Sequence, residues 1–249
     1  IIVRPRKGAG ITIAEINRPT AHIAILATVP VSANLWSRGI DWETLEAEWQ
    51  RGIRSTTEVA RRILDSVETP LSVILDHLQT IPLRSGFPEF VAHCASSGIP
   101  LLVVSDGYEV IIRRTLAQGR FDLPLYANIL YQDGPRLAAD FPHASPRCTR
   151  CGECEKTILE RLRHNPGPHP RPVILLGDGR SDTCAAALAD TVFACGRLPQ
   201  LCQEAGIRYT GFSDFFDLIT IPRFHKHPQP ESLASFCLSS TSSRVMPRV

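Results

Sequence analysis

Pro172-Val-Ile-Leu-Leu-Gly177-Asp178-Gly179-Arg-Ser-Asp182 is the stretch on which the fold turns. Its apolar run has no polar break and stops at a Gly-Asp-Gly turn, after which the Ala-rich stretch from Cys184 to Leu188 begins. A short continuous apolar run of this kind reads as a strand buried on both faces, as in a parallel sheet covered by helices. The unit occurs earlier as well. Ile99-Pro-Leu-Leu-Val-Val104 runs into Ser105-Asp106-Gly107, and a helical pattern follows through Val110, Ile111 and Leu116. Helices are further expected over Phe87–Cys94, ended by Gly98, over about 155–163 and over 198–205, with a short strand at Thr191–Ala194. Strand, polar turn and helix in alternation predict an α/β fold with a doubly wound (Rossmann-like) parallel sheet. The strands at 99–104 and 172–176 are expected to be parallel neighbours, with Ser105 and Asp178 at one sheet edge.

Outward from this core the patterning weakens. Residues 41–67 carry apolar residues at helix spacing, and Ser55-Thr-Thr-Glu58 reads as a helix start. His22-Ile-Ala-Ile-Leu-Ala-Thr-Val29 fits a buried strand, while 1–22 have no period. The expected division is a degenerate N-terminal segment with the first core strand (1–30), a small helical cap (31–80), the α/β core (81–221) and a loose tail rich in Pro, His and Ser (222–249). A net charge of +2 and the lack of a basic stripe argue against a nucleic-acid partner. No apolar run reaches the roughly 20 residues of a bilayer span. The basic cluster in Ile1–Gly10 has no apolar core after it, so no signal peptide is expected. A start at Ile rather than Met suggests a natural N-terminus that is missing or processed. Cys94, Cys184, Cys195, Cys202 and Cys237 read as buried free thiols, and the expected compartment is the cytoplasm. Oligomeric state is not encoded in any pattern here.

Ligands of open α/β sheets bind beyond the carboxyl ends of the strands. Ser105, with the backbone N–H groups of Asp106 and Gly107 and a helix start, suits a phosphate oxygen; the plainer alternative is a helix N-cap serine. Asp178 and Asp182 straddle a strand-to-helix turn and can face one hard cation such as Mg²⁺, whose octahedron water and phosphate oxygens complete. The alternative there is a tight turn before a capped helix.

Together these residues resemble the second and fourth motifs of haloacid dehalogenase (HAD) superfamily phosphatases. Val104-Ser105-Asp-Gly is similar to the second, and Gly177-Asp178-Gly-Arg-Ser-Asp182 with Ala185-Ala-Ala and Ala189-Asp190 to the fourth. The resemblance runs from about Asp41 to about Pro222. It is nearest to the phosphoserine phosphatase-like branch, and within it to the methionine-salvage phosphatases acting on 2-hydroxy-3-keto-5-methylthiopentenyl-1-phosphate. Cys151-Gly-Glu-Cys154 and Phe212-Ser-Asp-Phe-Phe-Asp217 support that narrower placement. The resemblance implies a Mg²⁺-dependent phosphatase acting on a small phosphorylated substrate through an aspartyl-phosphate. It implies Ser105 on a phosphate oxygen, Asp178 as the main metal ligand and Asp182 as a second, by way of water.

Two departures stand out. The family's first motif, Asp-x-Asp-Gly-Thr, has its counterpart at Ala24-Ile-Leu26-Ala-Thr28, where both carboxylates are missing. A pseudoenzyme, a truncation and a frame error before Pro30 all fit this pattern. Asp76, in Leu75-Asp-His-Leu-Gln-Thr80, is a rival nucleophile. The family lysine directly follows the last Cys of the cluster; here that place is Glu155, and Lys156 is the candidate. Cys148, Cys151 and Cys154 resemble half of a structural Zn²⁺ site, with His143 or His164 as a fourth ligand; free thiols in a loop are the alternative. Trp36, Trp42 and Trp49 are expected in the cap core, and His225 and His227 in a solvated tail. Three functions follow: a phosphomonoester hydrolase fold, a non-catalytic HAD-like phosphometabolite-binding or interaction protein, and a zinc-stabilised module.

Overall fold

The computed structural model describes residues 23–26, 37–78, 82–145, 155–164 and 172–221. Along the chain come β1 (Ile23–Leu26), α1 (Trp42–Gln50), α2 (Thr56–Asp65), α3 (Leu71–Leu78), α4 (Phe87–Ser96), β2 (Leu101–Tyr108) and α5 (Glu109–Gln118). They are followed by β3 (Leu125–Asp133), β4 (Arg136–Asp140), α6 (Glu155–His164), β5 (Val173–Gly177) and α7 (Thr183–Ala186). The last are β6 (Thr191–Ala194), α8 (Leu198–Glu204), β7 (Thr210–Gly211) and α9 (Phe215–Thr220). The strands form one seven-stranded sheet in the order β4-β3-β2-β1-β5-β6-β7, parallel except for the β3–β4 hairpin.

Strand parity sorts the core into two layers, because successive side chains leave opposite faces. Leu102, Val104, Val173, Leu175, Val192 and Ala194 pack with Ile158 and Leu159 of α6, Ala185 and Ala186 of α7 and Leu198 of α8. Leu101, Val103, Ile174, Leu176 and Phe193 take the other face, with Phe87 and Phe90 of α4, Ile112 of α5 and Phe215 of α9. Both faces are therefore covered, which explains the unbroken apolar runs. A third cluster joins Leu64, Val67, Ile74 and Leu78 of the helical section to Leu130 and Leu137 of the hairpin. α2 starts at Ser55 with a full capping box, as Ser-x-x-Glu predicts: Ser55 Oγ accepts from Glu58 N–H, and Glu58 accepts from Ser55 N–H.

Several expectations need correction. The strands at 101–108 and 173–177 are not neighbours; each pairs in parallel with β1, which lies between them. β2 runs through Ser105-Asp-Gly instead of stopping before it, and α5 starts after Tyr108, so Ser105 is not a helix cap. Cys94, Cys195 and Cys202 are buried free thiols as expected, but Cys184 is disulfide-bonded, with its partner outside the described residues. Trp42 and Trp49 are half-buried, their indole N–H groups held by Ser37 Oγ at 3.1 Å and Thr56 Oγ1 at 2.8 Å, so neither is a core anchor. Trp36, Cys148, Cys151, Cys154, Cys237, His225, His227 and the tail lie outside the described residues. No helix among the described residues is long and apolar enough to cross a membrane.

Candidate active site

The site lies where parallel strands end together. In the pairing of β1, Leu26 is level with Val103 on one side and Leu176 on the other. Two residues further on, Ser105 and Asp178 therefore end up on the same level, at the carboxyl edge, on the two strands that flank β1. Thr28 lies outside the described residues. Ala24 is paired with Leu101 and Ile174, and the two positions aligned to the missing carboxylates are four and two residues short of that level.

On the β2 side, Ser105 is 4% exposed and its Oγ accepts from Gly107 N–H at 3.0 Å. Fully buried Asn128 of β3 donates through Nδ2 to the Asp106 carbonyl at 2.8 Å. This contact sits where the β2–β3 register shifts between Val104 and Tyr108. The irregularity bends the strand end, a common device beside binding sites.

On the β5 side, Asp182 is fully buried beneath the turn it follows. Its Oδ2 accepts from Asp178 N–H at 2.7 Å and Gly179 N–H at 2.8 Å. Gly177 is required by this packing: a Cβ there would lie 2.7 Å from Asp182 Oδ2 and 2.8 Å from Leu198. Gly179 faces open space and has no positive φ, so packing does not demand it. Burial pushes the Asp182 carboxyl up to about 6, against the pull of the Gly179 N–H; the Asp178 charge raises it further and the neighbouring Glu155 carboxyl lowers it. Burial also holds the Asp178 carboxyl above the usual carboxylate range, partly offset by the Arg84 guanidinium.

Sequence reasoning missed two of these groups. Glu155, first residue of α6, is 1% exposed and its carboxyl acts on that of Asp182, whereas Lys156 turns to Glu160 at 3.8 Å. One residue of helix is about 100° of rotation, enough to separate the two. The three cysteines just before Glu155 drew attention to this segment, but no spacing rule marks an acid aimed at Asp182. Arg84 has no motif around it. It reaches the edge by donating to the Ser213 carbonyl at 2.6 Å and lying 3.1 Å from Cys195 Sγ. Helix α1 also touches this edge, with Trp49 against Arg180 at 5.8 Å and Glu46 bonded to Arg197 at 3.3 Å.

The rival nucleophile Asp76 is elsewhere. It lies on α3, 76% exposed, paired with Arg114. His143 packs edge-on to Tyr126, and burial lowers its proton affinity. Among the described residues no group of three or more His, Cys, Asp or Glu comes together as a metal site. With Asp182 Oδ2 committed to the turn, Asp178 is the carboxylate of this turn left for a cation among the described residues.

A family model described as "Putative Phosphatase" matches residues 48–200. A 2-hydroxy-3-keto-5-methylthiopentenyl-1-phosphate phosphatase of Geobacillus kaustophilus is 32% identical over 184 residues, covering 72% of this chain and 81% of the relative. One of the same description from Brevibacillus brevis is 35% identical over 142 residues, covering 56% of this chain and 62% of the relative. In fold, the chain is similar to a phospho-aspartyl intermediate analogue of phosphoserine phosphatase, with a TM-score of 0.63 at 16% identity over 82% of this chain and 99% of that one.

Proposed function

The chain belongs to this phosphatase family, within the HAD superfamily and near the methionine-salvage enzymes, and we propose that it keeps the phosphate-holding half of a phosphomonoesterase site without its nucleophile. The observation that carries this is the level pairing of Ser105 and Asp178 on either side of a strand with no carboxylate from Ile23 to Pro30. The ligand is a small phosphorylated metabolite, of the class named for the relatives, and residues 31–80 act as a cap over it.

Ser105 Oγ, which accepts from Gly107 N–H, donates its own hydroxyl proton to one phosphate oxygen. Asp178 is the residue that would hold Mg²⁺, with water and phosphate oxygens as the other ligands. When bound, that ion supplies positive charge against the phosphoryl oxygens. Asp182 keeps Asp178 in place by tying down the turn, and a water between Asp182 and the ion gives it a second role. The Arg84 guanidinium favours the ionised form of Asp178, partly offsetting the burial that raises its proton affinity. Lys156, paired with Glu160, is not assigned to phosphate. Cys148, Cys151 and Cys154 are the residues that would hold a structural Zn²⁺; they lie outside the described residues.

Titration calorimetry with Mg²⁺ plus inorganic phosphate tests this on the full chain and on Asp178→Asn. The expected result is weak binding that phosphate strengthens and the substitution abolishes. Unchanged binding in Asp178→Asn would reduce Gly177-Asp-Gly179 to a structural turn. A second form of the proposal, in which the chain acts as a non-catalytic phosphometabolite sensor, is favoured by the cap contacts. Arg180 and Arg197 join the strand ends to α1, so occupancy of the edge is felt by the cap.

A further inference from the structure

The sheet ends at β4, and the outer edge of that strand has no partner among the described residues. An open strand edge offers unpaired N–H and C=O groups, and proteins usually blunt it with charges of one kind or with proline. Here the sequence is Arg136-Leu-Ala-Ala-Asp140, with one charge of each sign at the two ends. Set antiparallel to a copy of itself about Ala138, it places Arg136 opposite Asp140 of the copy, and Asp140 opposite Arg136. Both residues are exposed, and neither forms an ion pair with any described residue.

The hairpin register supports the same centre. Asp133 pairs with Arg136, Tyr131 with Ala138 and Ile129 with Asp140. The loop between is Gly134-Pro135, with Gly134 at φ 55°, as a two-residue turn with glycine first requires. Such a turn closes on a hydrogen-bonded pair, so Arg136, Ala138 and Asp140 direct their backbone groups inward to β3. Leu137 and Ala139 then direct theirs outward. A twofold about Ala138 matches Leu137 of one chain with Ala139 of the other, the pairs that can exchange hydrogen bonds. Ala138 meets its own copy at the closely spaced pair, where a small side chain fits.

The face above this edge is also suited to burial. Ile129 is 41% and Tyr131 40% exposed, on the same side as Ala138. The other side of β4 is already occupied, because Leu137 packs with Leu130, Leu64 and Ile74. We propose that β4 is a homodimer edge: two copies of this chain pair antiparallel through Arg136–Asp140 about a twofold at Ala138. Crossed Arg136–Asp140 ion pairs set the register, and the two Tyr131 rings lean over the central alanines. Asp133, opposite Arg136 in its own chain, adds to the attraction for that arginine. The interface is isologous, as a twofold dimer requires, and joins the two sheets into one.

Sedimentation of the full chain from about 1 to 100 μM, where a small interface equilibrates, reads the mass directly. The expected mass rises from 27.5 kDa towards twice that value with concentration. Arg136→Asp and Asp140→Arg should each stay monomeric alone. Mixed together they should dimerise, because each ion pair is then complementary, and the double reversal should dimerise by itself. Ala139→Pro removes an outward N–H while sparing the hairpin, so it should be monomeric with an unchanged circular-dichroism spectrum. If that variant unfolds, the charge reversals decide. A wild-type chain that is monomeric throughout, a dimer that a folded Ala139→Pro leaves intact, or reversals that do not regain the dimer on mixing would each overturn the proposal.

Discussion

β1 and β5 lie side by side in the middle of the same sheet, in register, and their carboxyl ends have opposite chemistry. β5 ends in a turn where each group does something specific. Gly177 makes room for Asp182, Asp182 ties down the backbone of Asp178 and Gly179, and Asp178 stands at the edge. The sequence after β1 is Ala27-Thr-Val-Pro30, which contains no acid. Under the proposed function, the scaffold of a phosphoryl-transfer site and its reactive group are separable. The turn after β5 is held by its own backbone and packing, and it persists whatever β1 carries.

Activity should set the two strand ends apart most clearly. Assayed beside the Geobacillus relative on p-nitrophenyl phosphate with Mg²⁺, the chain should be slower by about 10⁴- to 10⁶-fold, the loss that follows removal of a nucleophile. Comparable turnover would mean that an acid outside β1 does the work.

Restoring acids at the aligned positions is the next test. Ala24→Asp with Leu26→Asp should yield no hydrolysis and should destabilise the fold by about 3 kcal/mol or more. The pairing places both positions inside the sheet, among buried Leu101, Val103, Ile174 and Leu176, where unpaired charge is costly. Recovered hydrolysis would show that β1 is shifted by about two to four residues relative to its neighbours.

On the β5 side, Asp182→Ala should cost about 3 kcal/mol in denaturant unfolding, since two partly buried backbone N–H groups lose a charged acceptor. A cost below about 1 kcal/mol would mean that the turn stands without it.

Acidity acts on the β5 end alone, and more gently. The folded-state value for Asp182, about 6, lies above its ordinary value of 3.8, so the folded chain holds that proton more tightly. Its contribution to stability is full below the lower value and is lost as pH rises through the upper one. Unfolding measured with a chelator present should show stability falling across that window, and Asp182→Asn should flatten the slope. An unchanged slope would assign it to other groups.

The smallest effect belongs to Ser105→Ala. Losing one neutral hydrogen bond to Gly107 N–H should cost about 1 kcal/mol, with phosphate binding weakened several-fold. Binding unchanged by the substitution would remove Ser105 from the site.

Much of the molecule is legible from the chain alone. The runs at 99–104 and 172–176, the strand at 191–194 and the Ser55 capping box depend on local pattern, and local pattern is what periodicity and caps report. The β3–β4 hairpin escaped notice because Leu125-Tyr-Ala-Asn-Ile-Leu-Tyr131 mixes polar and apolar residues without clean alternation. Its partners on the buried side, Leu64, Ile74 and Leu78, come from α2 and α3, far earlier in the chain. Glu155 escaped because a buried acid looks like any helix-start glutamate until the carboxyl it meets is known.

The α/β class, the kinship to phosphatases, the Gly-Asp-Gly turn with its second aspartate and the absence of acids from Ile23 to Pro30 are all fixed by neighbouring residues. They can be read wherever the chain happens to go. Tertiary packing was needed to establish that β1 separates β2 from β5, that Ala24 sits inside the sheet instead of at its edge, and that Glu155 rather than Lys156 meets Asp182. Each of those depends on backbone pairing or on burial between segments distant along the chain. A shift of one residue in a strand or helix sends a side chain to another face, and only packing selects among such shifts.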